Sequence, residues 1–493
     1  MASAGRLARA GDCPAVGAAR AAGVIADIGI MIDLRIEEAD WLLTLDKRRR
    51  ILSDGAIDVE AGRIAALGKT ADLRARGGAA RVISARGKVV TPGLIDSHIH
   101  TTFQMSRGLA DEVDSRAFLF ERMYPYEGAL DEEDAWVSIR LCLLELLKCG
   151  VTTFIDAGNY QPHLTARAAG EAGMRCVVAR STFDVTKSAM GALPAAFIET
   201  TEQALLRAEE TVSRLDRAYD GRVRAWFQFR GLNNASDRLV TKLSELAGRH
   251  GVGLQTHACF ARSTMESSQA QHGVTEIERL ERLGVLGPAM LLVHTGWAST
   301  RELELVRERD VKVVAAPSSS LHNAYGNIVH GRLPELLEEG VAVGIGSDHA
   351  SSGIVDLPQE MFLFGCAYKE VRENPRIAPP ERVIEMATVN GARCALQEDR
   401  IGSLEVGKRA DLVLFDTRRA EWQPLYNPVA NLVYSATGKS VDTVIVDGRV
   451  LVEGGRVLTF DEAEVIEAAR RRSSAILAKT GLADKIRPRW PVE

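Results

Sequence analysis

The sequence predicts an α/β protein: a (β/α)8 TIM-type barrel with a small β-sandwich built from both chain ends. Two observations predict the barrel. Short apolar runs alternate with helical patterns, and eight such runs can be counted. A third observation predicts the sandwich, since strand-like segments too short to fold alone lie at both ends of the chain. A length of 493 residues leaves room for a second domain beside the barrel.

The barrel strands are predicted from the apolar runs. They are placed at residues 89–100, 151–156, 175–181, 222–229, 252–259, 290–295, 311–316 and 341–348. The first barrel helix has the clearest pattern, because Asp131 can cap its start and Gly150 can end it. Between these two residues, apolar side chains recur at helical spacing at Trp136, Ile139, Leu143 and Leu147.

The two chain ends supply the predicted sandwich. Its strands are expected at residues 39–46, 56–60, 63–67 and 81–84, and again at 410–416, 443–446 and 450–452, with Asp447-Gly448 as a hairpin turn. The predicted domains are a disordered extension at residues 1–38, the sandwich at 39–88 and 402–460, the (β/α)8 barrel domain at 89–401, and a C-terminal helix and tail at 461–493. Met31 is an alternative start.

Composition excludes several classes of protein. The chain is 46% hydrophobic and 26% charged, which is typical of a globular protein with a large core. A net charge of -5 with dispersed basic residues argues against a nucleic-acid partner. No apolar run is long enough to cross a membrane. Seven cysteines without CxxC pairs favour a reducing cytoplasm over secretion. A cytoplasmic location is therefore expected. A homo-oligomeric state is a separate expectation.

Ligand-type residues cluster at predicted strand ends. Alternation along the first strand turns His98 and His100 to the same face, which inside a barrel is the lumen. The fifth, sixth and eighth strands carry His257, His294 and Asp348 at the same end. A shared metal ion satisfies imidazoles that are buried side by side. Three imidazoles and a carboxylate suit zinc, and iron, cobalt or manganese accept similar donors.

Several motifs resemble those of one enzyme family. Residues 90–100 (VTPGLIDSHIH) are similar to the first metal motif of the amidohydrolase superfamily. Residues 107–108 (RG), 150–153 (GVTT), 344–348 (GIGSD) and 402–412 (GSLEVGKRADL) resemble its branch of triazine hydrolases and of adenosylhomocysteine, methylthioadenosine, cytosine and guanine deaminases. The resemblance covers roughly residues 39–460.

The resemblance implies one divalent metal per chain. His98, His100, His257 and Asp348 would bind it, and His294 would lie beside it, polarising the substrate or holding the attacking water. Binuclear members carry a bridging lysine on strand four, and residues 222–230 contain none. A bound divalent ion lowers the pKa of water toward about 7. Asp348 would then accept the proton of this water as general base.

The sequence departs from its relatives at one catalytic position. Deaminases of this branch carry a glutamate three residues after the strand-five histidine, where this chain has Phe260. Glu266 could replace it only if its loop folded back. The residues that read a nucleoside in relatives are also missing, since residues 315–320 read AAPSSS and Arg230 stands near the strand-four histidine position. These differences argue against a nucleoside substrate.

Four further residues are candidate substrate contacts. Arg180 matches a substrate-binding arginine of related deaminases, and Glu121 falls in a segment that touches substrate in relatives. Gln104 and His322 lie on predicted loops at the barrel mouth, as do His163 and His349. For Arg180 an ion pair with a neighbouring carboxylate is the alternative, for Glu121 exposure on a helix surface, and for the loop residues solvation or support of other side chains.

These observations predict a metal-dependent hydrolase of a carbon-nitrogen bond other than a peptide bond, or of a related leaving-group bond, in a small nitrogenous compound. The alternative is a deaminase of an N-heterocycle. A non-catalytic assembly protein is a third hypothesis, and retention of all five metal-site residues argues against it.

Overall fold

A computed structural model describes residues 32–486, 488, 490 and 491. It contains nineteen strands in these residues. In chain order they are β1 (Ile32–Ala39), β2 (Trp41–Leu43), β3 (Ile51–Leu52), β4 (Gly55–Glu60), β5 (Arg63–Lys69), β6 (Ala79–Ser84), β7 (Lys88–Pro92), β8 (Leu94–Ile99), β9 (Val151–Asp156), β10 (Arg175–Ala179), β11 (Val223–Gly231), β12 (Leu254–Ala258), β13 (Met290–His294), β14 (Lys312–Ala315), β15 (Val343–Ile345), β16 (Leu412–Asp416), β17 (Val441–Val446), β18 (Arg449–Glu453) and β19 (Arg456–Val457).

The helices alternate with the strands through the central part of the chain. They are α1 (Thr70–Arg74), α2 (Ser115–Ala117), α3 (Tyr124–Ala129), α4 (Glu132–Lys148), α5 (Pro162–Ala172), α6 (Thr201–Leu215), α7 (Ala218–Gly221), α8 (Asp237–His250), α9 (Arg262–His272), α10 (Glu276–Arg282), α11 (Thr300–Glu308), α12 (Pro317–His322), α13 (Asn327–His330), α14 (Leu333–Glu338), α15 (Leu357–Arg372), α16 (Pro380–Met386), α17 (Val389–Cys394), α18 (Pro428–Tyr434) and α19 (Glu462–Thr480). A π-helical turn covers Phe118–Met123.

The eight central strands form the predicted barrel. Strands β8 to β15 pair in chain order as one parallel sheet. An isolated parallel bridge between Ile99 and Asp348 links its first and last members. Because βα units cover both faces of such a sheet, β9 and β10 are buried along their whole length. The prediction of a (β/α)8 barrel is confirmed.

Helix α4 begins and ends where its sequence signals indicate. The Asp131 side chain accepts a hydrogen bond from the Asp134 backbone N–H, and the Asp134 side chain accepts one from the Asp131 N–H. This reciprocal capping satisfies two donors that a helix start otherwise leaves free. Gly150 follows the helix in the left-handed region, with φ +88°.

The predicted first barrel strand is two strands in different sheets. Residues 88–92 form β7, which pairs with β16, whereas residues 94–99 form β8 of the barrel. The break falls at Gly93, where a Cβ atom would lie 2.1 Å from Oγ1 of Thr152. The chain passes too close to β9 there for any side chain, so glycine is needed at the change of sheet. The eighth strand is also shorter than predicted, because residues 346–348 already belong to the loop that follows it.

The remaining strands build two further sheets. One has the order β5-β4-β1-β6, and the other has the order β19-β18-β17-β16-β7-β2-β3, so the second contains both chain ends. A buried apolar cluster joins them, with Ile36 and Ile57 from the first sheet and Leu414 and Ile445 from the second. This is the sandwich arrangement that the sequence predicts.

Disorder through residue 38 is wrong for residues 32–38. They belong to β1, in which Ile36 pairs with Ile57 of β4 and with Ile83 of β6. Pairing on both sides buries most of this strand. The predicted disordered segment extended too far because polar and alanine-rich residues precede the strand. The part of the prediction on residues 1–31 lies outside the described residues.

The last helix, α19, packs against the start of the barrel. Arg472 lies 2.5 Å from an Asp134 carboxylate oxygen, and Lys479 lies 2.7 Å from the other. In the described part of the chain no helix has the length and apolar content that a membrane span requires. The six cysteines in this part are all free.

Candidate metal centre and its cavity

Five ligand-type side chains meet at the carboxyl ends of the barrel strands. His98 lies in β8 and His100 directly follows that strand. His257 lies in β12 and His294 ends β13. Asp348 follows β15 by three residues. This is the end of the barrel at which enzymes of this fold place their chemistry.

Four of these side chains form a set with metal-binding geometry. One ligand atom each from His98, His100, His257 and Asp348 lies within 4.8 Å of all the others. Oδ1 of Asp348 is 3.3 Å from Nε2 of His98 and 3.5 Å from Nε2 of His100. The Nε2 atoms of His100 and His257 are 3.3 Å apart. His294 is slightly further out, with Nε2 at 3.8 Å from Oδ2 of Asp348.

Backbone hydrogen bonds connect Asp348 to the segment that carries His98 and His100. Asp348 N–H donates to the His98 carbonyl at 2.9 Å, and His100 N–H donates to the Asp348 carbonyl at 2.6 Å. Gly346 passes so close to His98 that a Cβ atom would lie 2.6 Å from its carbonyl oxygen. Asp348 has φ +62° and His294 has φ +80°, a region that non-glycine residues seldom adopt. Such strain is typical of functional sites.

The protonation states favour a bound cation. Burial lowers the pKa of His100 and of His257 well below the ordinary value, and lowers that of His294 to about 4. Burial opposes ionisation of Asp348, but the neighbouring imidazoles of His349, His98 and His294 hold its pKa well below the usual range. The site therefore offers neutral imidazole lone pairs and one carboxylate, which is the donor set that a divalent metal requires.

Unpartnered ring nitrogens support this fit. Neither Nδ1 nor Nε2 of His98 has a hydrogen-bond partner among the described residues, although both are buried, and the same holds for Nδ1 of His294. Burying a polar atom without a partner costs about 1–3 kcal/mol. A cation within reach of His98 Nε2 removes part of this cost, so these residues fit a metal ion.

A backbone carbonyl orients one of the candidate ligands. Nδ1 of His257 lies 2.7 Å from the carbonyl oxygen of Arg230. An N–H at Nδ1 leaves the lone pair of Nε2 facing the other histidines, which is the usual arrangement for a ligating imidazole. The Arg230 guanidinium is itself buried, 3.1 Å from Oε1 of Glu127 and above the Phe103 ring.

A cavity opens directly above the cluster. It encloses about 700 Å³ of space, open solvent at its mouth included. His100, His257, His294 and Asp348 line it at the metal end. Its walls are rich in aromatic rings, namely Phe103, Phe118, Phe120, Tyr124, Phe183, Phe260 and Tyr325. A cavity that combines aromatic walls with convergent polar groups is typical of a small-molecule site.

None of the four predicted substrate contacts lines this cavity. Arg180 pairs with Glu199 at 2.6 Å and faces a separate surface depression. Glu121 is half exposed, 3.6 Å from Arg116. Gln104 is buried, and its amide has no partner among the described residues. His322 lies 3.1 Å from Asp111 on the rim of a neighbouring depression.

The positions of four further residues show which parts of the cavity the sequence predicted and which it did not. Phe260 lines the cavity, as its place after the fifth strand indicates, but Glu266 is exposed and faces the neighbouring depression. His349 is buried 3.5 Å from Asp348 and stacks on Phe118. Glu276, at the start of α10, also lines the cavity. It was not predicted from the sequence, because it lies at a helix start well beyond the end of the fifth barrel strand.

Comparisons with known proteins agree with this geometry. The sequence profile of the Amidohydrolase family matches residues 89–451. The chain is 33% identical over 450 residues to 5'-deoxyadenosine deaminase of Methanosarcina acetivorans, covering 91% of this chain and 99% of the relative. It is 34% identical to 5-methylthioadenosine/S-adenosylhomocysteine deaminase of Syntrophobacter fumaroxidans, covering 87% and 95% of the two chains.

Solved structures are similar over the same length. A zinc-containing adenosine deaminase of Xanthomonas campestris superposes with a TM-score of 0.84 at 27% identity, covering 91% of this chain and 99% of the other. Atrazine chlorohydrolase of Arthrobacter aurescens TC1, complexed with zinc, has a TM-score of 0.80 at 24% identity, covering 90% and 100%. The second likeness concerns the fold alone.

Proposed function

Because the chain belongs to the amidohydrolase family, we propose that it is a metal-dependent hydrolase of a carbon-nitrogen bond, other than a peptide bond, in a small nitrogenous compound. One observation carries the proposal. Three imidazoles and a carboxylate have their ligand atoms within 4.8 Å of one another, and all of them except His98 line a cavity with aromatic walls. A metal donor set that opens into a small-molecule cavity is the arrangement of a metallohydrolase.

The metal is proposed to be a single divalent ion, with zinc preferred. His98, His100, His257 and Asp348 would hold it, and this donor set suits zinc. Zinc is also the metal in the similar adenosine deaminase structure. Bound there, the ion supplies Lewis-acid activation of water, whose pKa it lowers toward about 7.

The chain's own residues provide the proton transfer and the electrostatic stabilisation. Asp348 accepts the proton that the attacking water gives up. His294, neutral because burial lowers its pKa to about 4, donates an N–H to the oxygen that gains negative charge. The aromatic walls exclude bulk water, which strengthens both interactions.

A deaminase is the second candidate. The relatives that match over almost the whole chain are named as deaminases of 5'-deoxyadenosine and of methylthioadenosine or adenosylhomocysteine. Phe260 in the cavity wall sets this chain apart from the deaminase pattern described above. The leaving group therefore distinguishes the two candidates: ammonia for a deaminase, and a substituted amine or another group for the broader hydrolase.

The experiment is a metal-dependent turnover screen. The zinc-loaded protein is tested against heterocyclic amines, ureas, carbamates and halogenated triazines, with ammonia and total amine release measured separately. We expect turnover that disappears with chelation and returns with zinc. No turnover of any compound by protein shown to contain one zinc per chain would contradict the proposal. A cytoplasmic location and a homo-oligomeric state remain predictions from the sequence.

A further inference from the structure

A leaving nitrogen needs a proton that the residues already assigned do not supply. When a C–N bond breaks, the bonding electron pair stays on nitrogen, and an amine leaves readily only if that nitrogen is protonated. Phe260, which lines the cavity after β12, cannot hold a proton. Asp348 takes a proton from water in the proposed function, and His294 serves the oxygen. A separate acid facing the cavity would supply this proton without taking Asp348 or His294 from these roles.

Glu276 is a buried carboxyl on the wall of the same cavity. Its side chain is 2% exposed. Oε2 accepts a hydrogen bond from the Cys259 backbone N–H at 2.5 Å and one from the Thr264 hydroxyl at 3.3 Å. Cys259 immediately precedes Phe260, so this carboxyl is held one residue away from the phenylalanine. Both of these bonds go to Oε2, and neither involves Oε1.

Arg230, Tyr124 and Tyr325, which also line the cavity, are less suited to donate a proton. The Arg230 guanidinium is 3.1 Å from Glu127 and 3.0 Å from the Ser181 hydroxyl. Burial raises the pKa of Tyr124 to about 12 and that of Tyr325 well above its ordinary value, so both phenols hold their protons tightly. Glu276, by contrast, forms no ion pair with any described residue.

The charges around Glu276 favour its neutral form. Burial raises its pKa to about 7, although the hydrogen bonds from the Cys259 N–H and the Thr264 hydroxyl favour the ionised form. The neighbouring carboxylate of Glu302 adds to the upward shift. Arg279 opposes it weakly, because its guanidinium is bound to Asp237 at 2.6 Å and to the carbonyl oxygens of Leu232 and Ala235. An acid whose pKa lies near the working pH is best suited to general acid catalysis.

We propose that Glu276 is the general acid of this enzyme, donating the proton that the leaving nitrogen takes. The inference rests on the proposed function. Water adds its oxygen to the substrate carbon and gives one proton to Asp348. The C–N bond then breaks, its electron pair stays on nitrogen, and nitrogen takes the proton of Glu276. Asp348 releases its proton to solvent and Glu276 regains one, so the net reaction consumes one water and releases one amine.

The first test compares Glu276→Gln with Glu266→Gln. The glutamine at 276 still accepts the Cys259 N–H but carries no acidic proton, whereas Glu266 is exposed and outside the cavity. For the amine substrate found in the turnover screen, we expect Glu276→Gln to lower kcat by about 10²–10⁴-fold. KM and zinc content should stay close to the parent's. Glu266→Gln should match the parent throughout.

A change of leaving group separates proton donation from a structural role. Chloride leaves without a proton, so the same ring carrying chlorine in place of the amine should lose little turnover in Glu276→Gln. Equal loss on both compounds, or no loss on the amine, would overturn the assignment of Glu276. An inactive zinc-loaded parent would instead overturn the proposed function, and this inference with it.

An infrared titration gives a readout that does not depend on turnover. The parent-minus-Glu276→Gln difference spectrum should contain the carbonyl band of a protonated carboxyl below about pH 7, and this band should vanish at higher pH. A carboxyl already ionised at about pH 5, near the ordinary value for glutamate, would overturn the proposal.

Discussion

Arg175 of β10 and Asp411, next to β16, form a buried ion pair between the barrel and the seven-stranded sheet. Nε of Arg175 lies 2.6 Å from Oδ2 of Asp411, and Nη2 lies 3.1 Å from Oδ1. The guanidinium also contacts Asp447, in the turn between β17 and β18. Both side chains of the pair are essentially inaccessible, at 0% and 2%. Two parts of the chain 236 residues apart are thus joined by one bidentate contact.

We expect Arg175→Ala to lower the free energy of unfolding by about 3–5 kcal/mol, because it leaves the carboxylate of Asp411 buried without its partner. Urea unfolding monitored by fluorescence measures the change. The control is Arg214→Ala, which removes an exposed pair with Glu210 and should cost about 1 kcal/mol or less. Equal effects of the two substitutions would show that the buried pair does not hold the domains together.

His98→Ala and Asp348→Ala should each lose bound metal and activity together, since each removes one of four donors. Metal content by elemental analysis, measured beside turnover, checks this. His163→Ala is a suitable control because His163 is half exposed on α5. Full metal occupancy in both ligand variants would refute the assignment of these donors.

His294→Ala should reduce kcat by about 10² or more while metal stays bound, since it removes an electrostatic contact to the reacting oxygen rather than a ligand. Turnover and metal content are measured on the same sample. Glu266→Gln should remain within a few-fold of the parent. A mild His294→Ala combined with a crippled Glu266→Gln would mean that the exposed glutamate reaches the substrate after all.

The raised pKa of Glu360 predicts that the free energy of unfolding falls as the pH rises. Burial, together with the charges of Asp96 and Asp348, raises its pKa from 4.5 to about 8. The folded state therefore binds the proton more tightly, and the stability gained is present below pH 4.5 and lost as the pH rises through about 8.

Glu360→Gln should remove this part of the pH dependence, because the amide keeps the contact with the Ser318 N–H but cannot ionise. Between about pH 5 and about pH 9, the parent should lose about 2–5 kcal/mol more than the variant in urea unfolding. Parallel losses in the two proteins would indicate that Glu360 titrates near its ordinary value.

The sequence predicted the barrel and the convergence of the four proposed metal donors because both depend on short-range patterns. Alternation within one strand places His98 and His100 on the same face, and the ends of parallel strands converge whatever the loops do. The direction of Arg180 was not predictable in this way, because Glu199 and the Tyr160 ring turn it aside from the cavity. The boundary at Gly93 depends on contact with Thr152, which no local pattern contains.

The backbone and the side chain of Arg230 have different roles, and only the side chain depends on the amino acid at this position. Its carbonyl oxygen holds His257, and every amino acid provides such an oxygen, whereas its guanidinium forms part of the cavity wall. Mutation at this position alters what the cavity admits without removing the acceptor that orients the imidazole. The change must involve Glu127 as well, because a lone buried carboxylate is costly. Paired substitutions at positions 127 and 230 therefore offer a short evolutionary route to a different substrate. The proposed metal site stays unchanged along this route.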